Sequence, residues 1–145
     1  MVIKGGARGD GAGLAAHLLR MDTNERAEVL ELRGVAAADL DGGLREMEAV
    51  ASGTRCKRPL YHASINTDPG EHLTDEQRAM AIDRLEAKLG LTGQPRAVVE
   101  HVKEGREHVH VVWSRIDLDH MRAIPDSHNY RKHEEAAREL EREFG

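Results

Sequence analysis

The sequence predicts an α+β domain: an antiparallel sheet of about five strands with helices packed on one face. Three observations predict it. Residues 96–103 and 107–117 are valine-rich alternating runs on either side of "EG", a hairpin signal. Residues 73–90, "LTDEQRAMAIDRLEAKLG", carry a complete set of helix signals. The element types follow the order βαβαβαββα, with no internal repeat or low-complexity tract.

Each element has its own warrant. "MVIKG" is a short apolar strand running into "GGARGDGAG", read as a glycine-rich loop. "LAAHLLRM" places Leu14, Leu18 and Met21 at helical spacing. "AEVLELRGV" alternates as a strand, and "AADLDGGLREMEAVASG" reads as a helix weakened by Gly42 and Gly43. "RPLYHASIN" is the third strand, opened by Pro59, and "TDPGEH" is a turn. In the next helix Thr74 and Gln77 form a capping box, Ile82, Leu85 and Leu89 make the apolar stripe, and Gly90 marks the stop. After the hairpin, "MRAIPDS" reads as a loop. A last helix carries Ala136, Leu140 and Phe144.

Bulk composition bounds the function. A chain of 145 residues is one domain by length, with room for a core. Aromatics make up only 3%, so Leu, Val, Ile, Met and Ala must fill that core. The single cysteine, Cys56, excludes an internal disulfide framework and a zinc ribbon. Neither a long apolar run nor a signal-peptide pattern is present, so no membrane segment and a cytoplasmic location are expected. The net charge of −5 argues against a generic nucleic-acid binder, while nine histidines are many for this length.

Three of those histidines fall in the hairpin, "EHVKEGREHVHVVWSRID" (100–117). Pairing through an even-numbered loop sets His101 opposite His108, and His110 joins them because side chains two apart share a face. Opposed Cβ atoms lie about 5 Å apart and diagonal ones about 7–8 Å, so three imidazoles can converge on one metal ion. An odd loop would turn His101 to the other face; three solvated histidines are the plainer alternative. Neutral imidazoles leave a bound ion its full charge for an anionic oxygen, and three protein ligands leave positions free for water or phosphate. Ligand softness alone favours zinc or manganese over magnesium.

"HVKEGREHVHVVWSRID" resembles the metal-binding motif of the plasmid mobilisation relaxases, of the HUH endonuclease superfamily. "IKGGARGDGAGLAAHLLR" is similar to their N-terminal segment, "YHASINTDPGEHLTDEQ" to the strand, turn and capped helix before the metal hairpin, and "HNYRKHEEAARELEREFG" to the closing helix. The resemblance spans nearly the whole chain and implies a palm-like sandwich forming one relaxase nuclease domain over 1–145. Relaxases are usually longer, so a C-terminal part is expected to be lacking. The implied activity is metal-dependent, strand- and site-specific nicking of single-stranded DNA at a transfer origin, with covalent attachment to the 5′ phosphate. Accessory relaxosome proteins are the implied partners. The implied cofactor is a divalent ion, manganese or magnesium first and zinc or nickel as alternatives, with His101, His108 and His110 as ligands. Ser114 replaces an asparagine that often follows the motif, which puts a contact in doubt.

The nucleophile departs from the common pattern. Most relaxases carry a tyrosine in the first helix, where this chain has His17. A related branch uses histidine there, and a neutral ring nitrogen attacks without prior deprotonation. A helix histidine with no role is the alternative, and Tyr130 is the rival nucleophile. Tyr61 and His62 alternate on their strand, so only one of them faces the cleft. His62 is the candidate for orientation or proton transfer. Asp22 and Glu100 are candidates to accept a ring N–H from a ligand, and strand parity puts Glu100 on the wrong face. Lys4, Arg8, Arg58 and Arg115, with Ser114, are expected to meet DNA; Arg55, Lys57 and Arg122 are further cations on such a path. A rolling-circle replication initiator and a non-catalytic metal- or DNA-binding domain stand as alternative functions.

Overall fold

A computed structural model describes residues 1–20 and 26–145. The main sheet is built from β1 (Val2–Arg8), β2 (Arg26–Arg33), β3 (Leu60–Asn66), β4 (Arg96–Lys103) and β5 (Arg106–Ser114). Its order is β1-β3-β5-β4-β2, with every neighbour antiparallel. The helices are α1 (Gly11–Leu18), α2 (Leu40–Ala51), α3 (Asp75–Leu89) and α4 (Asn129–Phe144). The α+β class and the five-stranded antiparallel sheet are therefore as the sequence predicts. No helix among the described residues is long and apolar enough to cross a membrane.

Local chemistry sets the helix ends. Asp10 and Asp39 cap α1 and α2 by accepting from the Gly13 and Gly42 N–H groups at 2.9 and 2.8 Å. The capping box of α3 is formed, and Gly90 ends the helix in the left-handed conformation at φ 74°. The β4–β5 turn is the two-residue loop Glu104-Gly105, both residues at positive φ (53° and 74°), as a tight hairpin requires. That even loop sets His101 opposite His108.

The helices do not all lie on one face. Tyr61, Ala63, Ile65, Val98, Val109, Val111 and Trp113 pack beneath α3 and α4. Leu60, Ala97, Val99 and Val112, on the opposite parity, pack with Leu14 and Leu18 of α1 and Leu40, Leu44 and Met47 of α2. The apolar stripes of α1 and α2 need a cover, and one end of the second face supplies it. The other end of that face carries polar side chains instead: His62, Ser64, Asn66, His108 and His110, all half-buried.

Two local expectations change. "GGAR" is not a loop: β1 continues through Gly5 and Gly6 to Arg8, paired along β3. A Cβ on Gly5 would meet the His62 carbonyl oxygen at 2.8 Å, so glycine permits this pairing. The second hairpin strand ends at Ser114, and Ile116–Asp117, expected to continue it, forms instead β6 of a small ribbon paired with β7 (Arg122–Ala123), which lies where the sequence suggested loop.

Candidate active site

The uncovered end of the second face is where the histidines meet. His101 and His110 have ring centroids 4.3 Å apart, and His62 stacks on His110 at 5.1 Å and 24°. His62 Nε2 lies 2.9 Å from His110 Nδ1. His108 Nδ1 hydrogen-bonds Asn66 Oδ1 at 2.6 Å. His101 is buried, and its Nε2 bonds the carbonyl of Leu18 at the end of α1. His17, the residue before Leu18, is exposed.

Electrostatics keep three of these rings neutral at physiological pH. Burial first, then the charges of Arg8, His17 and His101, push His62 down to about 4. Burial, then His62, His101, His108 and His17, push His110 down to about 3. Burial, with Arg106, His101 and Lys103, lowers His108. His17 precedes Leu18, whose carbonyl meets His101 Nε2, so the end of α1 that bears His17 adjoins the patch.

The donor set suits a divalent ion in chemistry: the imidazoles of His101, His108 and His110 share one face of the sheet. The rings themselves are not yet converged. Among the described residues, no three His, Cys, Asp or Glu side chains are arranged to hold one ion. The obstacle is local, because His101 Nε2 is turned onto the Leu18 carbonyl while the strand register already aligns the three residues. Side-chain rotation, not re-pairing of strands, is what convergence requires.

Other candidates sort by position. Lys4 and Arg8 are exposed on β1 and share the histidine face, opposite Ser64 and Leu60. Arg58 is exposed just before β3, and its carbonyl accepts from Arg115 at 2.7 Å. Ser114 and Arg115 are both buried, contrary to the expected DNA contact. Ser114 is buried four residues beyond His110, about 13 Å away at roughly 3.3 Å per strand residue. It lines an apolar cavity of about 280 Å³ with Met47, Pro95 and Ile116. Arg115 is buried, with its guanidinium bonded to the Arg58 and Ile124 carbonyls and near Asp126 at 3.6 Å. Neither side chain is available to DNA.

Tyr61 faces the other side of the sheet, with its hydroxyl 2.8 Å from His133 Nε2, so His62 is the member of the pair at the patch. Tyr130 is exposed on α4, the helix packed on that other face. Glu100 is buried there too, facing Arg78 at 3.4 Å. Asp22 lies outside the described residues. The sequence reading missed Asn66, although parity with His62 and His110 was enough to put it on their face.

An uncovered patch of neutral imidazoles, flanked by cations and an exposed ring on α1, is equipment suited to a phosphodiester. The family comparison agrees. Residues 17–145 match the model "Relaxase: MobA/VirD2-like, nuclease domain", and the chain belongs to that family. Its general activity is that of a relaxase nuclease, a DNA-nicking transesterase that acts on single-stranded DNA and generally uses a divalent metal. A search of curated proteins finds no match.

Proposed function

We propose that this domain nicks one DNA strand at a plasmid transfer origin and holds the new 5′ end covalently on His17, as part of conjugative mobilisation with accessory proteins. The observation that carries this reading is the position of His17, exposed on α1 next to Leu18, whose carbonyl meets His101, itself 4.3 Å from His110.

The chemistry follows from that placement. A lone pair on a neutral His17 ring nitrogen attacks phosphorus; an N–P bond forms and the P–O3′ bond breaks, its electron pair staying on O3′. The ring loses its remaining N–H proton and O3′ gains one, so protons balance. His62 is the group placed to carry or orient that proton, because it is neutral and hydrogen-bonded within the patch. Lys4 and Arg8 line the approach for the sugar-phosphate chain. A divalent ion, manganese or magnesium foremost, held by His101, His108 and His110 would polarise the scissile phosphate.

The test is intact mass after incubation with single-stranded origin DNA and manganese. A protein–DNA adduct mapped to His17 is expected. No adduct, or one on Tyr130, overturns the assignment. Replacing His108 with alanine should abolish metal binding in calorimetry, and unchanged affinity would refute the ligand set.

A further inference from the structure

Asn66 stands at a junction no sequence motif singled out. It closes β3, paired across one edge with Val2 of β1 and across the other with His108 of β5. Its side chain reaches both neighbours. Nδ2 donates to the Val2 carbonyl at 3.0 Å and to Ser64 Oγ at 3.1 Å, while Oδ1 faces His108 Nδ1 at 2.6 Å.

Those partners fix the amide's orientation and the ring proton. The Val2 carbonyl can only accept, so the amide NH₂ must face β1 and the amide oxygen must face His108. An oxygen that can only accept forces His108 Nδ1 to carry the ring proton. His108 is then left with its lone pair on Nε2. In water a free imidazole favours the opposite tautomer, with hydrogen on Nε2 and no lone pair there to offer.

We infer that Asn66 is a positioning residue: its amide oxygen holds His108 in the Nδ1–H tautomer, so that Nε2 presents a bare lone pair as the donor atom. The inference rests on reading His108 as a metal ligand, and it adds which atom binds and what selects it. Partners of this kind typically change metal affinity by about 10–100-fold. The same side chain also couples the β1 edge to the site, since one amide grips both Val2 and His108.

The direct test needs neither metal nor a variant. Long-range ¹H–¹⁵N spectra of the metal-free protein in mildly alkaline buffer report which His108 nitrogen is protonated. Nδ1–H is expected, and Nε2–H would overturn the inference. Asn66→Leu removes the acceptor and should release the ring toward Nε2–H, with manganese affinity about 10–100-fold weaker by calorimetry. Asn66→Asp keeps an acceptor while losing the donor to Val2; it should retain the tautomer and the affinity. A residue that merely clamps β1 would weaken thermal stability in both variants and leave the tautomer untouched, and that pattern refutes the role. Wild-type protein that binds no manganese would sink the ligand reading, whereas the metal-free spectrum judges the Asn66–His108 arrangement alone.

Discussion

His17 and Tyr130 differ by more than ring chemistry. His17 is exposed on the helix whose Leu18 carbonyl touches His101, whereas Tyr130 sits on α4, across the sheet. His17→Ala should therefore keep metal and DNA binding and lose covalent capture, because it removes an interaction made in the transition state. The wild-type adduct should be a phosphoramidate that breaks down in mild acid. Survival of the adduct in acid, or capture by the His17→Ala protein, would count against the histidine. Around it, the same residue type has different fates by position: His133 is buried against Tyr61 as part of the core, while His62 at the patch faces another imidazole.

Among the elements, α3 is tied to the sheet through Glu86. This buried carboxylate accepts from Trp113 Nε1 at 2.9 Å and from Arg96 at 3.1 Å, and it also bonds Arg33. Burial alone would raise its pKa, but the Trp113 and Arg33 hydrogen bonds, then the charges of Arg33 and Arg96, hold it below the usual carboxylate range. A depressed folded pKa means the contribution is fully present above the unfolded value, about 4.3, and is lost as pH falls through the folded value. Wild-type stability should fall more steeply than that of Glu86→Gln as pH drops below about 4, while at neutral pH the variant is the less stable, by as much as about 3–5 kcal/mol. Denaturant midpoints across pH check both signs. β1 offers a second contrast. Gly5→Val drives a Cβ into the His62 carbonyl and should cost about 1–3 kcal/mol, whereas Gly6→Val meets nothing within 4 Å and should fold normally. Equal thermal midpoints for the two would contradict the close β1–β3 approach.

For the whole molecule, charge is the constraint. A net −5 leaves little general attraction for a polyanion, so the proposed function assigns binding to local cations such as Lys4 and Arg8 on the histidine face. Removing either should weaken single-stranded DNA binding whatever its sequence and lower the salt slope by about 0.7 for each phosphate no longer neutralised. Fluorescence titrations at several salt concentrations would show it, and an unchanged slope would move the DNA path elsewhere.

Period-two alternation and helix caps are local, so the amino-acid sequence by itself determined most of the strands, the capped α3 and the shared parity of His108 and His110. The tight Glu104-Gly105 turn then fixed the register. Packing between distant segments carries no such periodic mark. Only the tertiary structure decided that α1 and α2 cover the second face, that "GGAR" pairs as a strand, and that Arg115 spends its guanidinium on the Arg58 and Ile124 carbonyls. It also brought the end of α1 to His101 and Asn66 to His108, because burial and hydrogen-bond satisfaction are settled between elements rather than within them.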